Sequence, residues 1–497
     1  MSMLKYCYLI NAVVFLFMVS TKVFANKPVY VENQVDFSTS ESSIVYNGKL
    51  YFPGRDLEHG TELWVYDKKV GQATMVANYS AGNQSFGPSK FIEYKGKIYF
   101  YGSSSELYSF DDTTQKIEKV TLDNGSSLYL NTRSPLVALN GKLYFFSYND
   151  FLYSLDGDTN SVSSLARFKR SNCHMLSCDV VVYAGKLFFI SQVPNSPSGS
   201  RYGNLELYSY DVKTNTGKLV AEIKPGNEDS SIEKLIVFRD KLYFSANDGI
   251  HGQELWVHDD KTGITSMVTD LSPGASGGLN VFRQPWHGMS SMAIYDGDLY
   301  FSGKNALYGE ELWKLEGTTE EVTLVADILP GADSGSPHNF TVHNGKLYFS
   351  AEHNSVIKYE YLHSYSSKTN LVSKTQINYW NKDKYVHKME SINGTLYVTS
   401  RGSRTTERGW FEGVFAYDDK TDVMTEIHTN GRKTSSASGG TFGRSWFTYY
   451  LGSIFYTAYD RYQNRYTQEN KIISGYYEID LATQTSRPLI AEIVTDR

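Results

Sequence analysis

Short apolar runs rich in aromatic and β-branched residues alternate with short polar turns along almost the whole chain. One such run, K-L-Y-F, recurs in nine related forms, from the copy at 48–52 to a weaker copy at 452–456. Successive copies are spaced 44 to 58 residues apart. No segment has a sustained helical period of 3.6 residues. The pattern therefore predicts one structural unit, made of strands and turns, that is used nine times.

Each unit divides into four segments, and the turns between the segments are also repeated. The first segment ends in a turn such as Asn47-Gly48 and leads directly into K-L-Y-F, which is the signal of a two-residue β-hairpin. A variable loop leads to E-L-W-x-x-D, and an acidic residue such as Asp259 begins the turn to a fourth strand. We expect this Asp to accept a backbone hydrogen bond that tightens the turn. Pairs such as Pro330-Gly331 then predict a type II turn before the next unit.

Repeated units of this kind predict an all-β protein, a single β-propeller of about eight to nine four-stranded blades. A β-solenoid is the structural alternative, but its coils are usually shorter. We place the propeller at 26–497, with nine repeats at approximately 41–80, 89–124, 134–168, 178–223, 233–271, 291–329, 339–377, 388–428 and 447–492. Residues 26–42 precede the first clear strand, and a strand added from there to the last blade is a common way to close such a ring.

The first 25 residues have the form of a secretory signal peptide. Lys5 precedes an apolar run at 6–19, and the segment 23–25 has small residues placed for cleavage after Ala25. An uncleaved membrane anchor is the alternative, but the run is shorter than the roughly 20 residues that span a membrane. We therefore expect a soluble protein, periplasmic or secreted, with no integral membrane segment after cleavage.

Charge and cysteine usage narrow the range of partners. Without Lys5 and Lys22, the 48 basic residues become 46 against 54 acidic ones, which gives a net charge of −8. No basic block is visible, so we expect no nucleic-acid partner, because phosphate binding needs clustered Lys and Arg.

Cys173 and Cys178 are expected to form a small-loop disulfide in an oxidising compartment, with two free thiols as the alternative. A metal site there is not expected, because only His174 lies between them.

The string Glu-Leu-Trp-Lys-Leu-Glu-Gly-Thr at 311–318 closely resembles the bacterial ELWxxDGT repeat family. Residues 62–67 and 254–259 match the first half of that motif, and flanking strings such as 242–249 and 327–331 are similar too. The resemblance is strong in units one, five and six, and faint in units eight and nine. It implies an exported bacterial protein built of propeller blades, and it implies no activity.

Two positions of the E-L-W strand, the glutamate and the aromatic residue, are candidates for either a functional or a structural role. The glutamates are Glu62, Glu106, Glu206, Glu254 and Glu311. A ring of carboxylates in a central channel is one interpretation; we favour hydrogen-bond acceptors that fix the preceding loop, since a catalytic site is normally built once. The aromatic residues at the third position are Trp64, Tyr108, Tyr153, Tyr208, Trp256, Trp313 and Tyr477. They are candidates for sugar stacking, but we expect them to pack between blades.

Function is expected where the repeat is interrupted, because loops on a rigid scaffold commonly carry recognition. Three long departures occur, at 191–205, at 275–290, and at 401–412 together with 430–446. Their Arg and Trp side chains are suited to an acidic glycan or a protein partner, through bidentate hydrogen bonds and stacking. A solvated variable loop is the alternative. The candidate binding residues are Arg283, Trp286, His287, Arg401, Arg404, Arg408, Trp410, Arg432, Arg444 and Trp446.

Standard catalytic signatures are absent from the sequence. It contains no H-E-x-x-H zinc motif, no G-x-S-x-G nucleophile elbow, no P-loop and no EF-hand string. We therefore expect no catalytic residues, no metal and no cofactor. The sequence favours an exported binding or interaction module for a protein or glycan ligand. A carbohydrate-active propeller enzyme, either a polysaccharide lyase or a glycoside hydrolase, and a structural envelope protein are the alternatives.

Overall fold

The structure is a computed structural model that describes residues 43–496 apart from 57, 133, 169–179, 194–203, 227, 280–291, 353–359, 376–383, 404–409, 432–447, 464–469 and 484. The predicted signal peptide at 1–25 and the segment 26–42 lie outside the described residues. The described part contains β-strands and one short 3-10 helix (Ser103–Ser105), and it contains no α-helix.

Nine four-stranded antiparallel sheets follow one another along the chain, and in each sheet the strands lie in chain order. The first three sheets comprise β1 (Ile44–Tyr46), β2 (Lys49–Asp56), β3 (Gly60–Asp67), β4 (Gln72–Ala77), β5 (Ser89–Tyr94), β6 (Lys97–Tyr101), β7 (Leu107–Asp111), β8 (Lys116–Lys119), β9 (Val137–Leu139), β10 (Lys142–Phe146), β11 (Phe151–Asp156) and β12 (Ser161–Arg167).

The next three sheets have the same order of strands. They comprise β13 (Val180–Tyr183), β14 (Lys186–Gln192), β15 (Leu205–Asp211), β16 (Thr216–Ala221), β17 (Glu233–Phe238), β18 (Lys241–Asn247), β19 (Gln253–Asp259), β20 (Ile264–Met267), β21 (Met292–Tyr295), β22 (Asp298–Asn305), β23 (Gly309–Leu315) and β24 (Val322–Ala326).

The last three sheets contain the longest strands. They comprise β25 (His338–His343), β26 (Lys346–Glu352), β27 (Glu360–Ser366), β28 (Leu371–Lys374), β29 (Lys384–Ile392), β30 (Thr395–Ser403), β31 (Trp410–Asp418), β32 (Val423–Gly431), β33 (Thr448–Tyr450), β34 (Ser453–Gln463), β35 (Asn470–Asp480) and β36 (Thr485–Asp496). The predicted all-β propeller of four-stranded blades is thus confirmed, and it has nine blades. The ninth sheet takes all four of its strands from the end of the chain.

The first strand of each blade is the innermost one. β13 contacts β17, β21 contacts β25, and β25 contacts β29, so the first strands of successive blades lie beside one another. The remaining strands of each blade follow outward in chain order. This arrangement places the first strands around the central axis, as in other propellers.

The first hairpin of every blade has the turn that the sequence predicts. Asn47 and Gly48 both have positive φ, 49° and 72°, which is the type I′ geometry that matches the twist of a hairpin. The equivalent pairs, all with positive φ at both residues, are Lys95-Gly96, Asn140-Gly141, Ala184-Gly185, Arg239-Asp240, Asp296-Gly297, Asn344-Gly345, Asn393-Gly394 and Leu451-Gly452.

The turn between the third and fourth strands is held by the predicted acidic residue. Oδ1 of Asp259 accepts the backbone N–H of Lys261 at 2.8 Å. The same bond, to the residue two positions on, is made by Asp67, Asp111, Asp156, Asp211, Asp418 and Asp480. These carboxylates therefore serve the turns, as predicted.

Nine clusters of buried apolar side chains lie between blades, one at each seam of the ring. Tyr51 of the first blade and Phe110 of the second illustrate the packing, with ring centroids 5.4 Å apart. At the last seam, Leu50 and Tyr66 of the first blade pack against Phe455 of the ninth. The ring is therefore closed by side-chain burial, which is the main driving force for folding.

Candidate binding face

The two edges of the blades differ in what they carry. Short turns join the first strand to the second, and the third to the fourth, at one edge, here called the hairpin edge. Because neighbouring strands are antiparallel, the links from second to third strand, and from fourth strand to the next blade, begin and end at the opposite edge. This opposite edge is here called the loop edge.

All the long departures from the repeat are attached to the loop edge. Residues 191–205 link β14 to β15, and residues 275–290 lie between β20 and β21. Residues 401–412 link β30 to β31, and residues 430–446 link β32 to β33. Variation in length and composition is thus concentrated at one edge of the ring.

Most of the predicted binding residues lie outside the described residues. These are Arg283, Trp286, His287, Arg404, Arg408, Arg432, Arg444 and Trp446. The cysteines of the predicted disulfide, Cys173 and Cys178, lie outside them as well. Arg401 and Trp410 belong to the described backbone, where Arg401 is opposite Glu412 and Trp410 is opposite Ser403. The structure therefore places these two residues on adjacent strands at the loop edge of the eighth blade.

Four of the five E-L-W glutamates are structural anchors for the connection that follows them, whereas Glu106 accepts hydrogen bonds from the Tyr108 hydroxyl at 2.9 Å and Lys119 at 2.6 Å, both in its own blade. Glu311 accepts the backbone N–H groups of Ile328 at 2.7 Å, Leu329 at 3.3 Å and Gly335 at 2.7 Å. These donors belong to the link into the seventh blade. The prediction of an acceptor is confirmed, but the predicted partner is wrong, since the carboxylate fixes the following connection and not the preceding loop.

The same anchor recurs in three other blades. Glu62 accepts the N–H of Tyr79 at 3.0 Å, Glu206 that of Ile223 at 2.9 Å, and Glu254 that of Leu271 at 3.3 Å. All of these carboxylates are fully buried. Burial raises the pKa of Glu206, Glu254 and Glu311 to about 7. They are held inside the blades and do not line a channel.

The aromatic residues of the E-L-W strand pack at the seams, as predicted. Tyr108 belongs to the cluster between the first and second blades, and Trp313 to that between the fifth and sixth. Trp64, Tyr153, Tyr208 and Trp256 occupy equivalent clusters. The side chain of Tyr477 is outside the described residues. The described rings are therefore part of the scaffold: Tyr108, Tyr208 and Trp313 are buried, and Trp64, Tyr153 and Trp256 are half-buried against their clusters.

The position before the E-L-W glutamate forms a second set of anchors that sequence reasoning missed. Gln253 donates to the carbonyl of Ser231 at 2.9 Å. Its equivalent, Glu310, accepts hydrogen bonds from the hydroxyls of Ser302 at 2.9 Å and Ser336 at 3.1 Å. The repeat gives no signal for this role, because the residue type changes from blade to blade.

In the seventh blade this position is Glu360, whose carboxylate lies beside His338. Oε2 of Glu360 is 3.5 Å from Nε2 of His338, and it accepts the N–H of Val386 at 3.3 Å. Nδ1 of His338 lies 2.9 Å from the carbonyl of Ser336, to which it donates. Both side chains are buried. The pair is enclosed by protein, so its geometry suits an anchor for the eighth blade and not a reacting group.

At the loop edge, the connection between the second and third blades pairs with the third blade in a short ladder. Leu130, between the second and third blades, forms an antiparallel bridge with Ser147, and the N–H of Tyr148 donates to the carbonyl of Tyr129 at 2.9 Å. Leu130 and Ser147 are buried, whereas Tyr129 and Tyr148 are 58% and 51% exposed. The same pairing recurs before the sixth blade, where Leu279 bridges Gly303 and the N–H of Lys304 donates to the carbonyl of Gly278 at 2.6 Å. The two exposed rings are what distinguish this copy, and the sequence alone does not single them out.

Neither a metal centre nor a spanning helix is found in the part of the chain that the structure describes. Within it, no group of three or more His, Cys, Asp or Glu side chains is arranged to hold a metal ion. Among the same residues, no helix has the length and apolar character needed to cross a membrane.

No protein-family model matches the chain, and no curated protein sequence matches it. Its fold is similar to that of solved prolyl endopeptidases, at 10% identity and a TM-score of 0.41, over 89% of this chain and 55% of theirs. It is also similar to the tricorn protease, at 13% identity and a TM-score of 0.31, over 93% of this chain and 46% of that protein. A computationally designed protein, Ika8, matches at 9% identity and a TM-score of 0.40, over 76% of this chain and 95% of its own. The chain thus spans about half the length of the two peptidases.

Proposed function

We propose that this protein is an exported, non-catalytic binding propeller that recognises a protein or glycan ligand through its loop edge. One observation carries the proposal: every long departure from the repeat joins strands at that edge, while the hairpin edge repeats the same short turns. A rigid scaffold with variable loops on one side is a common basis for recognition. The nine packed seams supply the rigidity.

The composition of the departures supports a ligand with negative charge. Arg401 lies two residues before the end of β30, and Trp410 begins β31. The loop between them and the loop after β32 add further Arg and Trp residues. Guanidinium groups bind carboxylates or sulfates with two parallel hydrogen bonds, and Trp adds apolar contact area. These residues are suited to an anionic glycan or an acidic protein segment, even though the whole chain carries a net charge of −6.

Export rests on the first 25 residues, and the ELWxxDGT strings agree with it. Expression of the full chain in a Gram-negative host, followed by fractionation and N-terminal sequencing, tests this part. We expect the mature protein outside the cytoplasm, beginning at Asn26. A cytoplasmic protein that retains residues 1–25 would contradict it.

Binding is tested on a glycan array that includes acidic and neutral glycans, and by pull-down from envelope extract. The variant Arg401→Ala/Trp410→Ala is compared with Lys420→Ala, an exposed residue at the hairpin edge of the same blade. We expect the first variant to lose binding and the second to retain it. Equal binding by both variants would overturn the proposal, as would the absence of detectable binding by the wild type in both assays. Turnover of a polysaccharide would instead identify an enzyme.

A further inference from the structure

We propose that Tyr129 and Tyr148 form a stacking platform for a neutral glycan at the loop edge of the second and third blades. This site is separate from the arginine-rich loops of the eighth and ninth blades, and it goes beyond the proposed function by naming a site and a ligand class. The proposal rests on three properties of the pair: exposure, rigidity and the chemistry of the neighbouring side chains.

Exposure sets these two residues apart from the other tyrosines. Among the described side chains, the exposed tyrosines are Tyr79, Tyr129, Tyr148 and Tyr449, and the two of this pair are the most exposed. Tyr79 has a packing role, because its ring stacks on Phe86 with centroids 4.4 Å apart. Isolated apolar residues on a surface need no explanation, but here two large exposed rings occupy directly opposite positions of one ladder.

The backbone that carries the two rings is rigid. Since Leu130 is bridged to Ser147, Tyr129 and Tyr148 are the next opposed pair in an antiparallel ladder. Their side chains therefore leave the same face with Cβ atoms roughly 5 Å apart. Buried Leu128 and Leu130 flank Tyr129 and pack in the cluster between the second and third blades. A ligand that binds both rings would find them already positioned, which lowers the entropic cost of binding.

Additional hydrogen bonds hold the ladder on the blades. The N–H of Leu130 donates to the carbonyl of Ser105 at 2.8 Å, and that of Asn131 to the carbonyl of Phe146 at 2.9 Å. On the other side, the N–H of Ser147 donates to the carbonyl of Phe151 at 2.9 Å. The platform is thus tied to both the second and the third blade.

The chemistry around the rings favours a saccharide without charge. The segments 120–132 and 146–150 contain no Lys, Arg or His. Their exposed polar residues are Asp123, Asn124, Ser126 and Asn149. Amide, hydroxyl and carboxylate groups bind sugar hydroxyls, and the charged residues within these two segments, Asp123 and Asp150, are both acidic, which disfavours an anionic glycan. Tyr offers an apolar face to the C–H groups of a pyranose and a hydroxyl at its rim.

The test measures binding of short neutral oligosaccharides (cello-, xylo-, manno- and malto-series) to the mature protein by calorimetry. Three variants are compared with the wild type: Tyr129→Ala/Tyr148→Ala, Tyr129→Phe/Tyr148→Phe, and Tyr449→Ala, which removes an exposed ring on the first strand of the ninth blade. We expect at least one series to bind. Its affinity should fall at least about ten-fold in the double alanine variant, and should be within about three-fold of wild type in the other two.

The outcomes separate this site from the proposed function. The Arg401→Ala/Trp410→Ala variant of the proposed function is measured in the same assay. Loss of neutral-glycan binding in that variant, but not in Tyr129→Ala/Tyr148→Ala, would overturn the platform and support the arginine-rich loops. Binding of acidic glycans or peptides alone would also overturn it, as would no binding of any neutral series. Thermal melting checks the fold of each variant, and the single alanine variants replace the double one if it melts earlier.

Discussion

The hydroxyl of Tyr66, in the first blade, donates a hydrogen bond of 3.3 Å to the carboxylate of Glu478, in the ninth blade. The same carboxylate accepts from Ser453 at 2.7 Å, and Ser453 in turn accepts from Lys68 of the first blade at 2.7 Å. Lys68 also donates to the carbonyl of Leu451 at 2.7 Å. The two ends of the described chain are therefore joined by a polar network beside the apolar seam.

Lys68→Ala should weaken this closure. The substitution removes two hydrogen bonds and the cation that lies 3.8 Å from Glu478, whose side chain is only 2% exposed. We expect the free energy of unfolding to fall by about 1–3 kcal/mol, because a buried carboxylate loses its countercharge. Urea denaturation measures the change. The control is Lys69→Ala, an exposed neighbour, and equal midpoints for the two variants would contradict the role of the network.

Tyr295→Phe should loosen the seam between the sixth and seventh blades. The hydroxyl of Tyr295 donates to the carbonyl of Gly345 at 2.7 Å and accepts the N–H of Ser367 at 3.2 Å. Tyr46, Tyr94 and Tyr183 donate to the equivalent turn of the next blade. We expect a loss of about 1–2 kcal/mol in the free energy of unfolding. Tyr449→Phe, at an exposed position, should leave stability unchanged, and an equal loss there would refute the argument.

Stability should depend on pH through Glu311. Burial raises the pKa of this carboxyl to about 7, above its ordinary value of 4.5, so the folded chain holds the proton more tightly than the unfolded chain. The stabilisation of the folded state by the protonated Glu311 is fully present below about pH 4.5, and it is lost as the pH rises through about 7. The free energy of unfolding of the wild type, relative to Glu311→Gln, should therefore decrease across this range, by at most about 1.4 kcal/mol per pH unit.

Urea denaturation of both proteins at several pH values between about 5 and 8 measures this difference. Asp333→Ala, an exposed change in the same connection, should follow the wild-type pH dependence. A wild-type curve parallel to that of Glu311→Gln would show that the carboxyl does not titrate differently in the folded and unfolded states.

Gly335→Ala should disturb the contact between Glu311 and the connection to the seventh blade, because Gly335 is one of the backbone donors to this carboxylate. A Cβ at this position would lie 2.9 Å from Oε2 of Glu311 and 2.8 Å from Cβ of Ile328, closer than normal contacts allow. Since neither neighbour can move freely, we expect a loss of about 1–3 kcal/mol in the free energy of unfolding. Chemical denaturation checks this, with Asp333→Ala again as the matched control. An unchanged midpoint would mean that the connection adapts without cost.

The sequence predicted those features that depend on neighbouring residues. The hairpin at Asn47-Gly48 and the turn at Asp259 are local, and residue chemistry determines both. The number of units also followed from the recurrence of one string. Turns such as Ala184-Gly185 were recognisable from the repeat alone, because Ala has no preference for positive φ.

Partners that are distant in the sequence could not be predicted. Glu311 faces donors in a link whose length varies between blades, so the local motif did not reveal whether it anchors the preceding or the following segment. The bond from Tyr66 to Glu478 depends on closure of the ring, which no local pattern encodes. Likewise, Tyr129 and Tyr148 stand out among the tyrosines whose side chains the structure describes only because it shows which of them are exposed.

The buried glutamates have a consequence for how such a chain can evolve. Four of them accept hydrogen bonds from the first residues of the connection to the next blade: Glu62, Glu206, Glu254 and Glu311. These bonds fix the backbone at the start of the connection, before the part that varies in length. Insertions that come after these hydrogen-bonded residues can change in length or sequence without shifting the neighbouring blade. A lineage built on this frame can therefore vary the segments that follow these four glutamates, such as 275–290 after Glu254, while the neighbouring blade keeps its position.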